Sequence, residues 1–286
     1  MEPSFVCESS NPTKQADTAP GRRCPENKAR AAAVLVFHGE LKTLLRRPRR
    51  AGPVAYPVDR RASIKDVVES LGVPHTEIYG LQCNGRQAGL EDILAPGQRL
   101  EIHPAVPPVE PLRDHPLRPA LPRLAFLVDE NVARLAGLLR LVGLDAAYDR
   151  ELGDKDLARL AHEEGRILLT RDTALLKRSL VTHGRLVRAA EPWDQLREIL
   201  TFYRTAPLRL LSRCPRCNQL LAPVDKQDVL PLLEPKTKRY YRTFHQCPGC
   251  GRVYWRGSHV EKLMRRLSKY GLHAKLENPD DNPYER

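Results

Sequence analysis

Residues 167–172 read ILLTRD. Ile167, Leu168 and Leu169 form a short apolar run of strand type, set off upstream by Gly165. The run breaks into Thr170, Arg171 and Asp172, and TALLKRSL follows at helical spacing. In open α/β sheets, ligands bind outside the carboxyl ends of the strands, so Asp172 falls where chemistry is expected. Asp129 stands in the same setting, closing the apolar run 125–128, and Asp154 and Asp156 lie in GDKD just before another helix. Three carboxylate positions at strand-to-helix junctions could converge on one divalent metal. Asp is also a favoured helix N-cap, so each position has a purely structural explanation as well.

Working outward, strands are expected at 125–128, 145–148, 167–170 and 185–188. Helices are expected at 132–142, from Asp154 or Asp156 to Glu164, at 174–180 and at 193–203. Alternation of this kind means a parallel sheet with helices on its faces. Glu130 either shares the metal or faces solvent. Glu191 and Asp194 are candidates for a late fourth acidic position, Asp194 with a helix cap as its alternative.

Upstream, residues 1–30 are rich in Pro, Ser, Asn and Thr, with few large apolar groups. Such a segment is expected to be disordered. Residues 31–106 read as a strand at 34–37, a basic connection with an edge strand within 46–57, and a helix opened by Ser63. That helix carries Ile64, Val67, Val68 and Leu71 and stops at Gly72. Asn84-Gly85 is a hairpin signal, and Leu100 and Ile102 face inward from a last strand. This order resembles the β-grasp, ubiquitin-like fold, near its sulfur-carrier branch. The last strand runs into prolines and not into a terminal Gly-Gly, so an interaction or scaffold role, with a protein partner, is the expectation. Seven prolines between 104 and 122 imply an extended linker, placed at 107–122, and the sheet domain then spans 123–206.

Downstream, residues 207–275 carry 15 Lys and Arg against 4 Asp and Glu, within a chain of net charge +12. This imbalance points to a polyanion partner, most often nucleic acid, with a merely solvated surface as the alternative. Cys214-x-x-Cys217 and Cys247-x-x-Cys250, 29 residues apart, form a strong signal for a four-cysteine zinc ribbon, a closed structural site. Gly249 and Gly251 are expected to give the knuckles their turn freedom. Cys7, Cys24 and Cys83 are scattered. Lys236, Lys238, Arg239 and Arg242 interleave with Tyr240, Tyr241 and Phe244, which suits phosphate contact with base stacking. The alternative is that these aromatics and Trp255 form the ribbon's core. His259 reads as a surface or capping residue, with a part in nucleic-acid chemistry as its alternative, and the tail 276–286 as disordered. No apolar run is long enough to span a membrane, and no signal segment is evident, so the expected compartment is the cytoplasm.

The run FLVDENVARLAGLLRLVGLDAAYDRELGDKDLARLAHEEGRILLTRDTALLKR, with the Cys pairs and YWRGSH at 254–259, resembles the Mut-seven carboxy-terminal RNase family, a PIN-like group. The β-grasp unit fits the ubiquitin-like domain that accompanies this family in bacteria. The resemblance implies a PIN-like parallel sheet with flanking helices and Mg²⁺- or Mn²⁺-dependent RNA cleavage. It maps the acidic positions onto Asp129, Asp154, Asp156 and Asp172, with Asp129, Asp154 and Asp172 as metal ligands. Thr170 could hold a water or phosphate, and Arg171 could contact phosphate. The rival expectation is a non-catalytic RNA- or ribosome-binding adaptor on a degenerate PIN-like fold.

Overall fold

The computed structural model describes residues 32–276. The disorder expected for 1–30 and for the tail 276–286 lies outside them, except that Leu276 ends a strand.

The first sheet holds five strands: β1 (Ala32–Phe37), β2 (Val54–Pro57), β3 (Ile78–Cys83), β4 (Arg86–Gln87) and β5 (Arg99–Pro104). Their order is β2-β1-β5-β3-β4, with β1 and β5 parallel and the other pairs antiparallel. This is the β-grasp arrangement. Helix α1 (Ile64–Ser70) lies across it, and its N-cap Ser63 accepts from the Asp66 amide at 3.1 Å. Such a cap contributes about 1 kcal/mol. Gly72 follows the C-cap Leu71 at φ +111 and turns the chain off the helix, a position where a side chain would be strained and would meet the Leu44 carbonyl. Asn84 and Gly85 both take positive φ in the β3–β4 turn. The buried Leu35, Ile64, Val68, Leu100 and Ile102 share one core.

The second sheet is fully parallel, in the order β7-β6-β8-β9: β6 (Ala125–Val128), β7 (Asp145–Ala147), β8 (Ile167–Thr170) and β9 (Gly184–Leu186). Its helices are α2 (Ala133–Leu141), α3 (Asp154–Glu163), α4 (Thr173–Leu176) and α5 (Pro192–Phe202). Every residue of β6 and β8 is buried, as a sheet covered on both faces requires. Phe126, Val128, Ile167 and Leu169 pack with residues of α2 and α5. Leu127 and Leu168 pack on the opposite face with residues of α3 and α4. Helix α4 stops at Leu176 and not at 180, because Arg178 and Val181 already turn the chain into β9.

The cysteine-bearing segment adds β10 (Leu208–Leu210), β11 (Ala222–Val224), α6 (Lys226–Val229), α7 (Pro235–Tyr240), β12 (Phe244–Gln246), β13 (Val253–Tyr254), α8 (Ser258–Lys269) and β14 (Ala274–Leu276). Strands β11-β12-β13 form an antiparallel ribbon, while β14 pairs in parallel with β10. Helix α8 places Val260 and Leu267 in the same core as α2 and α5.

The two accessory units touch opposite edges of the parallel sheet. On the β9 side, the turn at His75–Glu77 supplies the contacts. His75 Nε2 donates to the Val181 carbonyl at 2.8 Å, and Glu77 Oε1 accepts from the Leu186 amide at 2.8 Å. Glu77 Oε2 accepts from Arg185 at 2.8 Å and Arg188 at 3.0 Å, and the Glu77 side chain is wholly buried. On the β7 side, Asn218 accepts from the Ala146 amide at 3.1 Å and donates to Asp145 Oδ1 at 2.8 Å. The proline-rich stretch is strapped down: Val109 bonds Phe202 and Arg204 through the backbone, and Leu121 joins the sheet's core.

Candidate functional site

Strands β6 and β8 are central neighbours, so their carboxyl ends place Asp129 beside Thr170; the Asp129 amide donates to the Leu169 carbonyl at 3.0 Å. Thr170, fully buried, donates through Oγ1 to Asp129 Oδ2 at 2.6 Å. The same hydroxyl oxygen accepts from the Asp172 amide at 2.9 Å and from Asn131 Nδ2 at 3.1 Å. Asn131 Nδ2 also reaches Asp129 Oδ2 at 2.6 Å, and Asn131 Oδ1 accepts from the Arg171 amide at 3.0 Å. Both chain crossings out of the sheet are therefore locked to each other. Asn131 is the member that the sequence reading missed. The available signal was a second polar residue, two positions beyond a strand-ending Asp.

Asp129 and Asp172 do act as caps. Asp129 Oδ1 accepts from the Glu130 amide at 2.7 Å, and Asp172 Oδ1 accepts from the Ala174 amide at 2.6 Å. Asp154 and Asp156 do not cap: the N-cap of α3 is Gly153, and they occupy the first and third helical positions. Asp154 is exposed and faces Arg178 at 3.7 Å, and the half-buried Asp156 faces Arg159 at 3.1 Å. Asp154 and Asp156 thus share the carboxyl-end side with Asp129 and Asp172 by topology, without a bond to either. Among the described residues, no three acidic groups bring their oxygens within 4.8 Å of one another. Glu130 is exposed but not free, since the Tyr148 hydroxyl donates to it. Arg171 donates to the Ala189 carbonyl at 2.9 Å. Of the late acidic positions, Glu191 is the N-cap residue of α5 without a side-chain cap bond, and Asp194 pairs with Arg197 at 3.1 Å.

The four cysteines behave differently. The sulfurs of Cys214, Cys217, Cys247 and Cys250 all lie within 4.8 Å of one another, with Cys214–Cys250 at 3.7 Å and Cys217–Cys247 at 3.2 Å. Tetrahedral thiolates about 2.3 Å from a metal stand roughly 3.8 Å apart, so this donor set fits a metal ion. Burial opposes ionisation of Cys214. Hydrogen bonds from the Tyr254 hydroxyl and the Cys217 and Arg216 amides outweigh it and bring the thiol down to about 6. Each knuckle turns through a left-handed residue one place beyond its second cysteine: Asn218 at φ +69 and Gly251 at φ +69. Gly249 does not supply turn freedom; a Cβ there would press on Gln219 at 3.0 Å. Arg140 donates to the Arg216 carbonyl at 2.8 Å and so bolts the first knuckle to α2.

Lys236, Lys238, Arg239 and Arg242 are all exposed on or just after α7. Tyr241, Phe244 and Trp255 belong to the ribbon's small core, as their alternative reading held, while Tyr240 stands 66% exposed. Among the described residues, no hydrogen bond joins these cations to Asp129 or Asp172.

Compared with known families, residues 124–267 match the Mut7-C RNAse domain, just over half of the chain, and residues 30–110 match the Mut7-C ubiquitin domain. The chain belongs to the Mut7-C family. No curated protein and no solved structure matches it. The Mut7-C RNAse match runs through both Cys pairs and into α8, in keeping with the shared core. A nuclease-related role and a ubiquitin-like unit suited to protein contact follow at that level of detail. No helix among the described residues is long and apolar enough to cross a membrane.

Proposed function

We propose that this chain is a metal-dependent ribonuclease, with a zinc ion in its four-cysteine cluster and RNA held against the basic face of the ribbon. The observation that carries the reading is the Asp129–Thr170–Asp172 lock at the carboxyl ends of β6 and β8 in a Mut7-C RNAse domain. A Mg²⁺ or Mn²⁺ ion commonly uses only one or two protein carboxylates, with water and substrate phosphates completing its shell. Asp129 and Asp172 suffice for that, with Asp154 within the same side of the sheet. When bound, such an ion activates water and neutralises phosphate charge. Asn131 and Thr170 hold Asp129 in one orientation, which lowers the cost of presenting it to a ligand. Arg171 retains guanidinium donors beyond its bond to Ala189 and offers them to a phosphate. Cleavage is read as endonucleolytic, in the cytoplasm.

The absence of a tight acidic triad among the described residues favours one other reading, an RNA- or ribosome-binding adaptor. Labelled single-stranded and structured RNA incubated with Mn²⁺, Mg²⁺ or EDTA separates the two. Metal-dependent cleavage lost in Asp172→Ala and Asp129→Asn, with RNA binding retained, is the expected result. Salt-sensitive binding without cleavage by the wild type would establish the adaptor.

A further inference from the structure

At the amino end of β9, the end of the sheet away from Asp129 and Asp172, a cleft of about 590 Å³ opens between β3, β5, the proline-rich strap and His183. That volume falls in the range of small-molecule sites, which favour domain junctions. Arg118 lines the cleft and is 7% exposed. It donates to the carbonyls of Thr76 at 3.0 Å, His75 at 3.5 Å and Ile78, and its Cζ lies 4.1 Å from the centre of the Tyr79 ring. Its Nε has no partner. Among the described residues, no carboxylate pairs with it. A guanidinium taken out of water without a counter-ion carries a large desolvation cost, which carbonyl dipoles and a ring face offset in part.

No other group among the described residues that face the cleft pairs with Arg118. Glu110 is already paired with Arg113 and Arg204, both at 2.7 Å. Asp114 is exposed and accepts from the Ala120 amide. His115 and His183 line the cleft, and burial first, then the Arg118 charge, holds both imidazoles below their ordinary value, His183 at about 4. His103, stacked on His38, is lowered by burial and then by that neighbour. At neutral pH the wall therefore presents Arg118 as a buried cation without a carboxylate partner, beside imidazoles held below their ordinary value, with the Asp114 carboxylate at the exposed rim.

We propose that this cleft binds a small oxyanion-bearing molecule, a phosphate ester or a carboxylate, with Arg118 as its buried counter-charge. The site stands apart from the candidate nuclease centre and does not depend on that reading.

The test is histidine NMR on the full chain, titrated through the millimolar range with inorganic phosphate and, separately, with succinate. Saturable shifts at His115 and His183, with both titration midpoints raised by about one unit as an anion cancels the Arg118 field, are expected. The exposed His259 on α8 should not respond. Response to phosphate alone, or to succinate alone, assigns the class of ligand. Arg118→Gln should abolish the response. Because Arg118 also holds three carbonyls, Val106→Trp provides a second variant: Val106 lines the cleft at its rim, 87% exposed, and the indole should weaken binding at least tenfold. No saturable shift with either anion would overturn the proposal, as would unchanged binding in both folded variants.

Discussion

The Thr170 hydroxyl donates to Asp129 Oδ2 over 2.6 Å, across the seam between two neighbouring strands. A neutral donor to a carboxylate contributes about 1.5–3 kcal/mol. Thr170→Val keeps the volume and removes the bond. Metal-dependent cleavage is expected to fall about ten- to a hundredfold at near-constant RNA affinity, read by turnover alongside fluorescence anisotropy. Unchanged turnover would remove Thr170 from the site.

Glu77 meets Arg185 and Arg188 in the junction between the β-grasp unit and β9. Removing one partner from a buried ion pair costs about 3–5 kcal/mol, because the other charge stays buried. Glu77→Ala is expected to lower unfolding free energy by that order in urea titrations. A loss below about 0.5 kcal/mol would mean the junction opens freely in solution.

Stability should also depend on pH through His183. Burial, then the Arg118 charge, lowers its pKa to about 4, while the unfolded chain titrates near 6.5. The unfolded state therefore binds the extra proton between these values, and stability is lost as pH falls from about 6.5 towards 4. The full effect is roughly 3 kcal/mol. Urea midpoints for wild type and His183→Gln at pH 7.5 and 5 check it: the variant's curve should be flatter.

Much of the fold was legible because its signals are local. Ser63, Gly72 and Asn84-Gly85 mark a helix start, a helix stop and a hairpin from backbone chemistry alone, and the apolar runs 125–128 and 167–170 are strands buried on both faces. The junctions were not legible. Glu77 reads as one more surface acid until the turn that carries it is set against Arg185, 108 residues away. Asp154 and Asp156 looked like helix caps, but Gly153 took the cap position, and nothing in GDKD distinguishes the two. At the acidic site, Asp129 and Thr170 were visible from position, whereas Asn131 needed the pairing of β6 with β8 to acquire partners.

The four-cysteine cluster should hold one zinc ion per chain, measured by elemental analysis. Cys214→Ser or Cys247→Ser is expected to release it and to lower the melting temperature. A folded, metal-free wild type of equal stability would reduce the cluster to a thiol cage without a metal.

Lys236, Lys238, Arg239 and Arg242 form the exposed cationic group of the ribbon. Each phosphate contact on single-stranded RNA contributes about 0.7 to the log–log salt slope. Replacing all four with Ala should flatten that slope by up to about 3 in anisotropy titrations. An unaltered slope would place the RNA on another face.

Both rims of the parallel sheet are sealed from within the chain, β9 by the His75–Glu77 turn and β7 by Asn218 of the first knuckle. Exposed strand rims recruit strands from other molecules. A fragment trimmed to the nuclease fold alone would carry two such invitations and should self-associate. The three modules therefore cover one another's open edges, and the chain is expected to stay monodisperse only when all three are kept together.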